Sequence, residues 1–188
     1  MVHARSFSQI ETLRSGVSIT IRAVRFTDKA GIARAFRRLD PESIYTRFFQ
    51  AKAALSDEEL KTATEVDFER VVALVATVES EGTETVIGAG RYVAFNSAAR
   101  RTAEVAFSVE EDYQRQGIAT RILNHLVRIA RENGVDQFEA EVLPGNTSML
   151  AVFSRSGLPM KQSRTEGVVH VRLSLSARSE PGRRAPSP

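Results

Sequence analysis

The sequence predicts a mixed α/β fold of the α+β kind, with a central sheet of about six to seven strands, mostly antiparallel with one parallel pair, flanked by helices. Three observations lead there. Arg70 to Val78, Thr85 to Phe95 and Arg101 to Val109 are successive strand-like runs, and the turn residues Glu81-Gly82 and Asn96-Ser97 between them predict an antiparallel meander. Ile118, Ile122, Leu123, Leu126, Val127 and Ala130 recur at spacings of three and four, which predicts a helix with one buried stripe. Val135 to Leu143 then alternates again, with Phe138, Ala140 and Val142 on one face and Glu139 and Glu141 on the other. A helix between two strands implies that those strands run parallel.

The remaining elements follow in chain order. Val17 to Val24 alternates as a half-buried strand does, and Thr27-Asp28 supplies an N-cap signal for a helix running to about Leu39. A short helix covers Pro41 to Phe49. Ser56-Asp57-Glu58-Glu59 is a capping-box pattern and starts another through about Thr64. Asn133-Gly134 stops the long helix, and Pro144-Gly145-Asn146 turns into a short helix from Thr147 to Ser154. Two closing strands, Met160 to Arg164 and Val168 to Leu175, are joined by Thr165-Glu166-Gly167. The domain is expected over residues 17–175, preceded by an extension over 1–16 and followed by a disordered tail over 176–188, where arginines accompany Ser, Pro and Gly.

Composition bounds the chemistry. With 188 residues and 42% of them hydrophobic, one domain with a substantial core is the default. The chain has no cysteine, so disulfides, thiolate nucleophiles and thiolate metal sites are excluded, and His3, His125 and His170 have no metal-ligand spacing. No apolar run reaches the roughly 20 residues that span a bilayer, and Met1 to Ile10 lacks the apolar centre of a secretory signal, so a cytoplasmic location and no membrane partner are expected. A net charge of +3 gives little support to a nucleic-acid partner.

The stretch Gln114-Arg115-Gln116-Gly117-Ile118-Ala119 lies between the strand Ala103 to Val109 and the helix. A strand that breaks into a basic, glycine-containing turn and at once starts a helix aims unpaired backbone N–H groups and the positive helix end at one point, which makes an anion site. Gly117 lets a phosphate approach the backbone, and Arg115 adds charge. As a bare pattern the turn is short, and a glycine that merely eases a strand-to-helix turn explains it equally well.

In this context the segment resembles the acyl-CoA-binding core of the GCN5-related N-acetyltransferases, whose motif Gln/Arg-x-x-Gly-x-Gly/Ala cradles the coenzyme A pyrophosphate; Gln114, Gly117 and Ala119 fill its defined places. Ile21-Arg22-Ala23-Val24 and the run from Arg38 through Pro41-Glu42-Ser43-Ile44-Tyr45-Thr46-Arg47-Phe48-Phe49 are similar to the start of the catalytic domain of bacterial protein lysine acetyltransferases. The two matches together cover roughly residues 17 to 175. The resemblance implies that the strand before the loop splays from its parallel neighbour. It implies that the N–H groups of Phe107, Ser108 and Val109 bind the pantetheine arm and acyl carbonyl, and that those of Arg115, Gln116, Gly117, Ile118, Ala119 and Thr120 bind pyrophosphate. It places Asn146 near the pantetheine or phosphate arm, although an N-cap role also fits that residue. Acetyl-CoA is the implied cosubstrate, with no metal.

Strand alternation sets Ala103, Val105, Phe107 and Val109 on one face and Glu104, Ala106 and Ser108 on the other. A lone glutamate among small residues on a central strand suits a general base in a partly desolvating cleft, the part that the matching glutamate plays in the bacterial protein acetyltransferases. The bland alternative is a hydrated glutamate facing away; Glu139 and Glu141 are held in reserve. Seven residues past Asn146, where many relatives carry a proton-donating tyrosine, stands Phe153, so the acid is water, Ser154 or another group, or the thiolate leaves unassisted.

The leading expectation is an acetyl-CoA-dependent N-acetyltransferase in which an amine attacks the thioester directly. A protein lysine is favoured as acceptor by the Pro-Glu-Ser-x-Tyr-x-Arg-Phe-Phe resemblance, and a small-molecule amine is the alternative. A non-catalytic acyl-CoA sensor and an arginine-driven nucleic-acid binder are the competing classes, and a homodimer is left open.

Overall fold

The computed structural model describes residues 3–97 and 100–176. Eight strands form one sheet: β1 (Ser8–Thr12), β2 (Ser18–Ala23), β3 (Val71–Ser80), β4 (Thr83–Ser97), β5 (Arg100–Val109), β6 (Gln137–Val142), β7 (Met160–Thr165) and β8 (Val168–Ser174), in the order β1-β2-β3-β4-β5-β6-β8-β7. Every neighbouring pair is antiparallel except β5 and β6. The helices are α1 (Lys29–Arg37), α2 (Pro41–Phe48), α3 (Asp57–Thr64), α4 (Ile118–Glu132) and α5 (Thr147–Ser154).

The expected mixed sheet is present, with one strand more than expected. The added strand, β1, comes from the stretch 1–16. Its only large apolar residue, Ile10, points outward and is 68% exposed, so Ser-Gln-Ile-Glu-Thr carries no half-buried alternation to read. Backbone pairing with β2 holds it, and so does Glu11, which accepts from Arg121 Nη1 at 3.1 Å on α4. A second difference concerns Asn96-Ser97. These residues stay in β4, pairing with Arg101 and Arg100, and residues 98–99 lie outside the described residues. Pairing rungs on both sides override the turn propensity of Asn and Ser. The tail expected to be disordered lies, beyond Ser176, outside the described residues.

The helix over Thr27 to Leu39 opens with a short 3₁₀ turn, Phe26–Asp28, before α1. Asp28 does not cap it as expected. Its carboxylate is taken by Arg22, whose Nη1 and Nη2 donate at 2.8 Å each, and by the Arg25 backbone N–H at 2.7 Å. Burial works against charge on Arg22, but the bonds to Asp28 and Glu84 outweigh it and hold the guanidinium more firmly protonated than usual. The Ser56–Glu59 capping box forms as read: Glu59 N–H donates to Ser56 Oγ at 3.2 Å, and Ser56 N–H to Glu59 Oε2 at 2.8 Å.

Two faces result. On one, α4 buries Ile118, Ile122, Leu123, Leu126, Val127, Ile129 and Ala130 against the sheet. Gly88 and Gly90 of β4 let it approach: a Cβ at Gly90 would stand 2.5 Å from Ile122 Cγ2 and 2.7 Å from Phe107 Cδ1. On the other face a smaller core joins Val24, Ala73, Val75 and Val86 to Ile32 and Ala35 of α1. A register shift between Ala76 and Thr77 leaves Ile87 as an extra residue in β4, so Val86 and Gly88, two positions apart, fall on opposite faces of the sheet. The outward side chains of β6 and β8, among them Glu141 and Arg172, remain exposed on that second face.

Candidate active site

The parallel β5–β6 ladder has three rungs, Thr102 to Gln137, Ala103 to Phe138 and Glu104 to Glu139. Beyond Glu104 the strands part, while β5 stays paired to β4 as far as Val109 and β6 to β8 as far as Val142. The splay is therefore built into the sheet. Alternation assigns its polar lining. Arg101 O accepts from Asp136 N–H at 2.8 Å on the β6 side, and Glu110 N–H donates to Ile87 O at 2.9 Å on the β4 side. Odd-numbered residues of β5 thus turn their backbone groups to the gap, so Phe107 and Val109 present N–H groups there. Ser108, expected to do the same, turns its N–H to Ala89 of β4 and its half-buried side chain to the face of Glu104.

The turn at 114–117 sits at the mouth of this gap. Arg115 and Gly117 both have positive φ, 60° and 86°, and Gly117 is the N-cap of α4 with no side chain capping the helix. Among the described residues, none of the N–H groups from Arg115 to Thr120 donates to a protein acceptor. No heavy atom lies within 4 Å of where a Cβ on Gly117 would stand. Converging free donors, a helix N-terminus and open space above a glycine fit a pyrophosphate group.

The side chains of the motif do other work. Gln114 Nε2 donates to Val109 O at 3.2 Å and Ser43 Oγ at 3.3 Å, bracing the turn against the end of β5 and against α2. Gln116 donates to Asp112 O and accepts from Ser15 Oγ at 2.7 Å. Asn146 caps α5, its Oδ1 accepting from Met149 N–H at 3.1 Å, so the N-cap reading holds. Phe153 is buried and packs edge-on against Phe107 with ring centroids 6.1 Å apart. Ser154 is exposed, its hydroxyl turned back to Ala151 O.

Glu104 is exposed on the last rung before the fork. The partial desolvation expected for it is absent: α1 packs over β4 and α2 over β5, yet Glu104 stays exposed at this end of the face. Glu139, its partner across the rung, accepts from Gln137 Nε2 at 2.9 Å and Arg172 Nε at 3.0 Å. Glu104, Glu139, Glu141, His170, Arg172 and Phe95 together line a shallow pocket of about 200 Å³, with His170 Nδ1 3.5 Å from Glu141.

A larger cavity of about 350 Å³ lies between α1–α3 and the strands, with Ala73, Val75, Ala89, Ala106 and Ser108 in its floor. Arg47 from α2 and Arg91 from β4 also line it. Burial pushes the Arg47 guanidinium down to about 10; the nearby Arg91 adds to this and Glu104 opposes it. In the sequence Arg47 stands out only as part of the run from Arg38 to Phe49, and Arg91 was passed over. The signal was available: Arg91 stands between Ala89 and Val93 on one face of a central strand, the pattern that singled out Glu104.

Among the described residues no helix is long and apolar enough to cross a membrane. A family model described as the acetyltransferase (GNAT) family matches residues 36–158. Acetyltransferase PA5475 of Pseudomonas aeruginosa is 28% identical over 140 residues, 74% of each chain. Acetyltransferase Pat of Mycolicibacterium smegmatis is 34% identical over 116 residues, 62% of this chain and 34% of that protein. The solved GNAT domain of S. lividans PAT superposes with a TM-score of 0.80 at 32% identity, covering 89% of this chain and 96% of that one. With the splayed pair and the open glycine turn at the start of α4, these matches establish that the chain belongs to the GNAT family and is an acetyl-CoA-dependent N-acetyltransferase.

Proposed function

We propose that this enzyme acetylates lysine side chains of proteins, with Glu104 as the general base. The observation that carries this reading is the position of Glu104, on the last β5–β6 rung at an open end of the sheet face, with Glu139 and Glu141 beside it. Glu104 is exposed with no ion pair, while Glu139 is held by Arg172; an exposed unpaired carboxylate favours a cationic acceptor and admits a side chain carried on a protein surface. The likeness to the PAT and Pat proteins supports it.

In this reading the N–H groups from Arg115 to Thr120 hold the pyrophosphate, and Phe107 and Val109 orient the pantetheine arm and acyl carbonyl through the gap. Acetyl-CoA supplies the thioester whose acyl group is transferred. Glu104 takes a proton from the incoming ammonium, directly or through one water. Phe153 has no proton to give, so the departing thiolate takes its proton from solvent. A small-molecule amine is the second reading, favoured by the mostly apolar cavity of about 350 Å³ under α1–α3. Incubation with labelled acetyl-CoA and a lysate from the protein's own source, followed by mass spectrometry, separates the two. Labelled lysines on discrete proteins are expected; labelled small molecules with no labelled protein would overturn the lysine reading.

A further inference from the structure

Arg47 and Arg91 stand out within the cavity. Each lines it, each is half-buried, and among the described residues neither guanidinium donates a hydrogen bond or forms an ion pair. Arg47 has the face of Phe48, 5.0 Å from the ring centroid, and a through-space attraction to Glu104. Half-burying two like charges side by side without acceptors is costly, and proteins pair or hydrate such groups. The contrast lies in the same molecule: Arg22 is buried and fully engaged by Asp28 and Glu84.

The other charges lining the cavity do not pair with these arginines. Glu59 is held by Lys52 and by the cap of α3, and Glu58 is exposed at the start of that helix. Glu110 Oε1 accepts from Arg38 at 3.1 Å, and its buried Oε2 has no partner. Glu110 lies four residues along β5 from Ala106, roughly 13 Å at the usual strand rise. Arg91 is instead the direct cross-strand partner of Ala106, whose neighbour Phe107 presents its N–H to the gap. Neighbouring strands are about 4.8 Å apart, so a short chain running from the gap across Ala106 reaches Arg91.

We propose that Arg47 and Arg91 form a carboxylate-binding subsite of this cleft, serving a carboxylate on the transferred acyl group or on the acceptor amine. Guanidinium forks are the natural receptor for a carboxylate, and the apolar floor suits the methylenes that carry it. Burial and Arg91 lower the protonation tendency of Arg47, and a carboxylate placed beside the two guanidinium groups opposes that lowering. The carboxylate takes no part in the chemistry: the amide bond forms as the thioester C–S bond breaks, the ammonium proton passes to the base, and the thiol leaves. The proposal rests on the acyltransferase cleft and does not depend on the lysine reading.

The donor arm of the test needs no acceptor. Calorimetry compares S-(3-carboxypropyl)-CoA with S-butyl-CoA, thioethers that cannot be transferred. If the carboxylate sits on the acyl group, the acid binds at least tenfold tighter, and the ratio falls toward one in Arg47→Gln and Arg91→Gln. The acceptor arm compares kcat/KM for amines differing by one carboxylate: a peptide with Lys-Glu against Lys-Gln, and 5-aminopentanoate against pentylamine. A tenfold preference for the acid, lost in the same variants, assigns the subsite to the acceptor. Wild-type ratios near one in both arms overturn the proposal without reference to any variant. Ratios that survive both substitutions, in variants that still bind S-butyl-CoA as wild type does, overturn it as well. Failure of peptides to be acetylated, with the donor ratio intact, removes the lysine reading and leaves the subsite standing.

Discussion

Glu104 and Glu139 face each other across the last rung of the only parallel pair in the described sheet, at the point where β5 and β6 separate. The two carboxylates are not equivalent. Glu139 is engaged by Arg172 and Gln137, whereas Glu104 has no hydrogen bond or ion pair among the described residues. Of the two, the proposed mechanism therefore assigns Glu104 as the base for an incoming amine. Glu104→Gln is expected to lower kcat by about 10²-fold or more while leaving the Kd for acetyl-CoA within twofold. Glu139→Gln should lower it much less. Steady-state kinetics paired with calorimetry checks both, and unchanged turnover in Glu104→Gln removes this residue from the mechanism.

Gly117 carries a different kind of constraint. A Cβ there meets no heavy atom, so packing does not forbid one, but φ of 86° strains any L side chain by about 1–2 kcal/mol. The methyl group would also stand in the open space above the cradle. Gly117→Ala is therefore expected to lose acetyl-CoA affinity by more than its loss of thermal stability explains. Equal affinity for wild type and variant would argue against phosphate sitting there.

Gly90 is constrained by space instead. Its added Cβ would meet Ile122 and Phe107 in a packed core, so Gly90→Ala should destabilise by about 1–3 kcal/mol. Gly145→Ala is the control, since no atom lies within 4 Å and no positive φ is required. Chemical denaturation of the two variants distinguishes close approach from a general intolerance of substitution.

Acid should weaken the fold through its paired carboxylates. Arg22 lowers the protonation range of Glu84, and Lys52 holds Glu59 down to about 2. Asp67 is also lowered: burial opposes its charge, but N–H groups of Val71, Glu69 and Arg70 prevail. A carboxylate whose folded pKa lies below its unfolded value of about 4 contributes fully above that value and loses its contribution as pH falls. Thermal unfolding should therefore shift downward between about pH 5 and pH 2. The surface members matter little singly, whereas Asp28→Asn, which leaves buried Arg22 half-paired, should cost about 3–5 kcal/mol at pH 7. A variant as stable as wild type would show that Glu84 suffices.

Much of this was legible because it is local. The heptad-like stripe of α4, the Ser56 capping box, the Asn133-Gly134 stop and the alternation of β5 each need only a few neighbouring residues, and each formed as read. Ser8–Thr12 was not legible, since its apolar residue faces outward and its place depends on backbone pairing with β2. Asn96-Ser97 misled for the same reason, because their turn propensity yields to the rungs with Arg101 and Arg100.

The sequence by itself determined the fold class and the position of the glycine turn that opens α4, because helix periodicity, strand alternation and a glycine at a helix start are written in consecutive residues. Tertiary structure decided which backbone N–H groups reach the gap, that Gln114 and Gln116 brace the turn, that Glu104 is exposed, and that Arg47 and Arg91 share one cavity. Those outcomes depend on where strands far apart in sequence begin and stop pairing, and on what α1–α3 cover. Local pattern carries no record of either.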